Sequence, residues 1–295
     1  LVGIVVLAAG ILIAGGGWEN IMGTIRTNHP QMLEPLSGGT MPVSLYFTQW
    51  LLVGIFTFAL PQSVVRCMGY KDTKSLRGAM IGGTIIIGAM MIGVTTLGVL
   101  SAGVLTGDLA SYGGSVDNII PRTIVETLPP WLAGVAIVGP VAASISTVSS
   151  LLIASSSAII KDLWLHYADD RGQQVSDAVV ARSSQIITLG VGVIVFVLAV
   201  VPPSVIWKIN MFAFGGLETA FCWVLVGALF FRRANKVGAI ASMVGGTAVY
   251  CLCMALGFKL FGLHQIVIGI TVSLLCMAIG SWIGNRRANA ADATA

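Results

Sequence analysis

From Gly78 to Val104 the chain carries no charged residue, and residues 45–65, 131–160 and 184–201 likewise carry none. At 1.5 Å of rise per residue, an apolar run of about 18 residues or more is long enough to cross the bilayer hydrocarbon as a helix. None of these runs breaks into the short alternating segments of a membrane β-barrel. With 56% hydrophobic and only 9% charged residues, the fold class is an all-α integral membrane protein.

Apolar runs bounded by charge predict eight spans, near 1–17, 45–65, 78–104, 131–160, 184–201, 209–231, 238–257 and 263–284. Alternate connections then face opposite sides. One set holds twelve Lys and Arg residues, from Arg66 to Arg287, and the other holds four: Arg26, Arg122, Lys208 and Lys259. Positive charge accumulates on the cytoplasmic side. This puts the first set and the C-terminus in the cytoplasm, in a multi-pass protein of the cell (cytoplasmic, inner) membrane. Two longer outer connections, 18–44 and 105–130, contain Gly, Pro and mixed charge. Within the second, PRTIVETLPP fits either a short surface helix ended by Pro129 or a solvated loop.

The chain opens at Leu1 inside LVGIVVLAAGILIAGGG, without the charge and cleavage order of a signal peptide, and reads as the C-terminal part of something longer. Cys67, Cys222, Cys251, Cys253 and Cys276 match no metal spacing and read as small packing residues. His29, His166 and His264 are scattered among connections, and no nucleotide-binding glycine pattern or nucleophile–base set occurs. Enzyme chemistry is therefore not expected. The basic residues are too few and too dispersed for a nucleic-acid surface.

Three polar features stand out at membrane depth. The first lies in AASISTVSSLLIASSSAIIKD: eight of the 22 residues from Gly139 to Ile160 are Ser or Thr. At 100° per residue Ala143, Ser146, Thr147, Ser150, Ala154 and Ser157 share one face. Hydroxyls in such a helix serve close helix packing, or they serve as neutral ligands for a hard cation such as Na⁺. Ser146 and Thr147 with the Ala143 carbonyl form the candidate cation set. Ser144, Ser149, Ser155 and Ser156 point elsewhere, as expected for packing, and Ser150 and Ser157 are unassigned.

The second feature is LYFTQWLLVGIFTFALPQSVVR, which carries Gly54 and Pro61 within an apolar run. Proline removes a helical hydrogen bond and glycine lowers the cost of unwinding, so the helix is expected to kink or break here. Broken helices at membrane depth line cavities, and Val53, Thr57 and Pro61 recur every fourth residue on one face. A packing kink accounts for the pattern equally well. The third feature is Glu218, an intramembrane carboxyl that fits a coupling role or a structural pin.

The chain resembles the sodium:solute symporter family. The resemblance is carried by Ala228-Leu229, Arg233, Gly238-Ala239 and Ser242-Met243-Val244-Gly245-Gly246 at the spacing of a family signature. It is carried also by GPVAASISTVSSLLIASSSAIIKDLW, similar to a core helix of that family ended by Asp162. ALPQSVVRCMGYKDTKS, ETLPPWLAG, VPPSVIWKINMFAFGGLE and GLHQIV are most similar to members that carry pantothenate.

The resemblance implies a LeuT-like fold of two inverted repeats. Residues 1–17 would close the first repeat, 45–231 would form the second, and 238–284 would be accessory helices, all in one transporter domain. It implies a sodium site at the Ala143 carbonyl and the Ser146 and Thr147 hydroxyls. It also implies a solute face at Val53, Thr57 and Pro61, beside which Phe56 gates or packs. A proline-carrying member has aromatic residues where this chain has Val53 and Thr57, which disfavours proline. The implied function is sodium-coupled symport of a small organic solute, pantothenate foremost. The alternatives are another small carboxylate or amino acid, or a symporter-like membrane sensor. No cofactor is implied beyond Na⁺ as coupling ion, and no partner beyond solute and bilayer.

Overall fold

The structure is a computed structural model that describes residues 2–105, 107, 114–173, 175–200, 202 and 204–292, apart from the side chains of residues 66 and 288–292. Every regular element among the described residues is helical. Six segments are long and apolar enough to cross a bilayer: Thr73–Ser101, Pro130–Asp170, Asp177–Val200, Ile206–Phe230, Lys236–Ala255 and Gln265–Arg287. The all-helical class expected from the sequence is therefore met, but two of the eight expected spans do not form single crossing helices. Within the connection expected near 105–130, residues 106 and 108–113 lie outside the described residues.

The chain groups into two compact units, Leu1–Asn28 with Ile85–Val205, and His29–Thr84 with Ile206–Ala295. In the first, α1 (Val2–Ala14) stops after 13 residues, about 20 Å of rise and too short to span alone. Gly16 and Gly17, at φ +71° and +98°, supply the left-handed backbone that ends it. Helix α2 (Trp18–Asn28) leaves at 77° to α1. The sequence predicts an outer connection over this stretch, yet Ile21 and Ile25 are fully buried one turn apart. They pack with Leu7 and Ile11 of α1, Leu97 and Leu100 of α5 (Thr73–Ser101), and Ile124 of α6 (Ile119–Thr127).

Helix α6 is the short helix that PRTIVETLPP allowed. It closes at Leu128, and Pro129 and Pro130 then start α7 (Pro130–Ser157), where a missing N–H costs nothing. Asp162 does not end this helix. The chain continues through a π-helical stretch, Ala158–Leu165, into α8 (His166–Asp170). Ile160, 1% exposed, anchors the stretch while Lys161 and Asp162 stay exposed. Helix α9 (Asp177–Val200) runs beside α7.

In the second unit α3 (Val43–Trp50) passes into a π-helical turn, Leu51–Ile55, and a 3-10 turn, Phe56–Ala59. Leu60 is extended, at φ −66° and ψ 129°, and α4 (Pro61–Met68) begins after it. This is the break that Gly54 and Pro61 predict. The unit is built on α10 (Ile206–Phe230), α11 (Lys236–Ala255) and α12 (Gln265–Asp292), packed side by side. Small residues let these backbones approach closely: a Cβ on Gly238 would lie 2.8 Å from the Met277 carbonyl of α12. Hydroxyls tie the helices together, with Ser273 Oγ donating to the Thr219 carbonyl at 2.8 Å and lying 2.8 Å from Ser242 Oγ. Tyr250 donates its hydroxyl to the Met211 carbonyl at 2.8 Å, and Trp223 its indole N–H to the Ile270 carbonyl at 2.9 Å. Cys222 and Cys253 are buried, Cys251 and Cys276 half-buried and Cys67 exposed, all as free thiols.

Candidate functional site

On α7 one turn gathers three oxygens. Ser146 Oγ donates to the Ala143 carbonyl at 2.9 Å and Thr147 Oγ1 donates to the same carbonyl at 3.1 Å. All three residues are exposed on a helix whose other residues there are largely apolar. A hydroxyl bonded back to the i−3 or i−4 carbonyl is satisfied inside its own helix. It carries no net charge into the membrane, and it turns its lone pairs toward a cation at the cost of one weak internal bond. A hard cation takes such neutral oxygens. Three from a single turn would make only part of such a shell.

The neighbouring hydroxyls behave differently from one another. Ser150 Oγ donates to the Ser146 carbonyl at 2.6 Å, so the oxygen-rich face continues one turn further. Of the four serines expected in helix packing, only Ser156 is buried. Ser144, Ser149 and Ser155 are exposed, and the first two are satisfied by the Pro140 and Ile145 carbonyls at 2.9 and 2.8 Å. Ser157 sits with Ser184, Gln185 and Thr188 of α9 around a cavity of about 580 Å³. Ser184, Gln185 and Thr188 stand at i, i+1 and i+4 on one face of α9, a short periodic signal within an otherwise apolar run.

The second group lies on the broken helix. Val53, Phe56, Thr57 and Pro61 are all half-buried. Val53 and Phe56 pack against a cluster of Leu52, Ala59, Met211, Tyr250 and Ile266. The Thr57 hydroxyl donates to the Val53 carbonyl and also reaches that of Leu52 at 3.3 Å. This contact satisfies carbonyls where the helix changes its hydrogen-bond register. The four-residue spacing supposes one continuous α-helix, whereas between Val53 and Pro61 the chain passes through a π-helical turn, a 3-10 turn and the extended Leu60. These residues belong to the second unit and the α7 oxygens to the first.

Glu218 sits on α10 with no exposed surface, and neither carboxyl oxygen has a hydrogen-bond partner among the described residues. Of the two roles the sequence allowed, the pin role requires a partner that the described residues do not supply. A buried polar group without a partner is costly unless it has a use.

A further polar tie joins the start of α12 to α3. The His264 N–H donates to Thr48 Oγ1 at 2.8 Å, Thr48 Oγ1 donates to the Ser44 carbonyl at 2.7 Å, and Ser44 Oγ donates to the Gly262 carbonyl at 3.3 Å. His264 Nδ1 accepts the Ile266 N–H at 3.2 Å, capping α12. Burial, and then the nearby Lys259 ammonium, hold the imidazole down to about 4, in the neutral form that can accept this bond. Nothing in the local sequence of GLHQIV signals a contact with residues more than 200 positions earlier.

A family model described as the sodium:solute symporter family matches residues 1–246. The chain is 35% identical to a sodium/pantothenate symporter of Haemophilus influenzae over 97% of its own length. It is 36% identical to a sodium/pantothenate symporter of Escherichia coli over 96%. To an osmoregulated proline transporter of Bacillus subtilis it is 26% identical over 98%. In each case the chain spans 58% of the relative's length. No solved structure matches it.

Proposed function

Because the chain belongs to the sodium:solute symporter family, we propose that the complete protein takes up a small organic solute, pantothenate, by sodium-coupled alternating access. The observation that carries the coupling half of this reading is the convergence of Ser146 Oγ and Thr147 Oγ1 on the Ala143 carbonyl. A neutral oxygen cluster exposed on a membrane helix is chemistry suited to a monovalent hard cation. Sodium drives transport to the extent that it binds the outward-open, solute-competent state more tightly than the other, shifting the population between them.

The solute half rests on the broken helix and on the two relatives that share more than a third of the chain's residues, both named for pantothenate. Val53, Phe56, Thr57 and Pro61 line the candidate solute face. Val53 and Thr57 leave more room than aromatic side chains would, which separates this chain from proline carriers. In the LeuT-like reading residues 1–17 end the first repeat, 45–231 form the second and 238–284 are accessory. The twelve-to-four bias in Lys and Arg supports a cytoplasmic C-terminus in a cell membrane of the inner type.

The test is uptake of labelled pantothenate by cells making the complete protein, with sodium or with choline in its place. Saturable uptake that needs sodium and is not competed by proline is expected. Uptake indifferent to sodium overturns the coupling, and uptake competed by proline but not by unlabelled pantothenate overturns the solute.

A further inference from the structure

Past Phe230, where α10 ends, the chain turns through Phe231, Arg232 and Arg233 before α11 begins, and α12 passes alongside. The two helices and the turn border a cavity of about 690 Å³. Its wall is apolar, with Trp223 of α10 and Leu274 and Met277 of α12. Its rim is basic, with Arg232, Arg233 and Arg286. None of these arginines is paired with a carboxylate among the described residues, where the one ion pair is His166 with Asp170.

The rim is held in place from both sides. Asn235 donates through Nδ2 to the Ser281 carbonyl at 2.8 Å and to Asn285 Oδ1 at 2.9 Å. Its Oδ1 accepts the Gly238 N–H at 3.0 Å, capping α11. Asn285 in turn donates to the Arg233 carbonyl at 2.9 Å. The turn that carries Arg232 and Arg233 is thus pinned to α12. The Arg286 guanidinium lies 3.9 Å over the Trp282 ring, an arrangement that orients it while leaving its N–H groups for a ligand.

Arginines just past a helix C-terminus also complement the helix dipole, but that role needs neither a cavity nor Arg286 from another helix. Guanidinium groups bind phosphate oxygens with paired N–H donors. A free phosphate would use the rim alone and leave the apolar wall unfilled. An amphiphile uses both: its headgroup meets the arginines, and its acyl chain lies along Trp223, Leu274 and Met277. The site also stands where apolar helix gives way to charge, at Arg232 on one side and Asn285-Arg286-Arg287 on the other, the depth of a lipid headgroup.

We propose that this cavity is a binding site for the phosphodiester headgroup of an anionic phospholipid, held by Arg232, Arg233 and Arg286, with an acyl chain in the apolar groove between α10 and α12. Basic pockets between membrane helices commonly recognise such headgroups. Each arginine contributes about fivefold to affinity, and the three together roughly a hundredfold. The inference stands apart from the identity of the transported solute.

The complete protein, delipidated in neutral detergent, is titrated with phosphatidylglycerol, phosphatidylcholine or inorganic phosphate, and bound lipid and the unfolding midpoint are followed. Phosphatidylglycerol is expected to bind and raise the midpoint, and phosphatidylcholine and inorganic phosphate are not. Replacing all three arginines by Gln weakens binding about a hundredfold, and each single replacement about fivefold. Ala278→Trp, which fills the cavity and keeps every charge, abolishes binding and remains informative if the triple variant does not fold. Equal binding of phosphatidylcholine, an equal response to inorganic phosphate, or undiminished phosphatidylglycerol binding by Ala278→Trp overturns the proposal.

Discussion

Thr147→Val removes one oxygen from α7 and keeps the branched shape of the side chain. Among the described residues the Thr147 hydroxyl bonds only to the Ala143 carbonyl, at 3.1 Å, an oxygen that the helix ladder already engages. Thr147 is exposed, so no cavity opens and no buried group loses its partner. The cost to folding is within about 0.5 kcal/mol, as for other surface positions. The cost to ion binding is larger, because a neutral oxygen on a cation resembles a hydrogen bond to a charged group, worth about 1.5–3 kcal/mol. At 1.4 kcal/mol per decade, the sodium concentration for half-maximal uptake rises roughly ten- to hundredfold.

Ser146→Ala, which removes the companion oxygen 2.9 Å from the same carbonyl, behaves alike. The double variant costs other than the sum of the two, since both oxygens would serve one ion. The assay is uptake of labelled pantothenate by the complete protein over a range of sodium concentrations, beside the unfolding midpoint of each purified variant. A raised sodium requirement with an unchanged midpoint is the expected outcome. If both single variants keep the wild-type sodium dependence, the α7 oxygens do not bind the ion. If uptake falls only as far as the midpoint falls, these hydroxyls serve packing.

Gly238→Ala places a Cβ 2.8 Å from the Met277 carbonyl and into Ser281 Oγ. It costs about 1–3 kcal/mol of overpacking, read as a drop of several degrees in the unfolding midpoint, whereas Gly216→Ala, with nothing within 4 Å of its Cβ, serves as the control. Because burial and Lys259 hold His264 down to about 4, the unfolded chain takes up a proton first as pH falls. Stability that is full above about 6.5 is therefore lost toward 4; His264→Asn, which keeps a capping acceptor but does not titrate, flattens that part of the midpoint-against-pH curve. Val53→Phe fills the candidate solute face and raises the half-saturating pantothenate concentration about tenfold or more, while sodium dependence at saturating solute stays put. Half-saturation unchanged in a folded Val53→Phe variant would remove Val53 from that face.

The features legible in the sequence are those that a residue imposes on its own backbone. Pro61 cannot donate to the helix ladder and Gly54 does little to hold it, so a break between them follows from local chemistry, and Leu60 is where the chain becomes extended. Ser146 and Thr147 reach the Ala143 carbonyl because helical geometry brings i+3 and i+4 back to i. The first span passes for a crossing only as a bent pair, α1 with α2. LVGIVVLAAGILIAGGG has the composition of a crossing helix, but composition does not register that Gly16 and Gly17 adopt positive φ and turn the chain away. A closer look at α2 would have found Glu19 in its first turn, Arg26 in its last and Ile21 and Ile25 a turn apart, a short amphipathic helix hidden by its mixed charge.

What the sequence did not disclose is set by partners far along the chain. Asn235 reads as a helix cap, and its side chain does cap α11 through Gly238, but its two remaining donor bonds run to Ser281 and Asn285. Those bonds decide where Arg232 and Arg233 stand. Likewise Thr48 reads as one polar residue in an apolar run, yet it accepts from His264 and so ties the broken helix to the start of α12. The same hydroxyl donates to the Ser44 carbonyl, so its proton and one lone pair are engaged within the second unit. A hydroxyl engaged in that way is fixed, whereas those of Ser146 and Thr147 bond only to a carbonyl of their own turn and stay exposed. Hydroxyl content alone therefore does not separate scaffold from ion ligand in a membrane helix. A distant partner marks Thr48 as scaffold, whereas Ser144, Ser149 and Ser150 are as exposed and as locally bonded as Ser146 and Thr147, and what sets the last two apart is that both converge on the one Ala143 carbonyl.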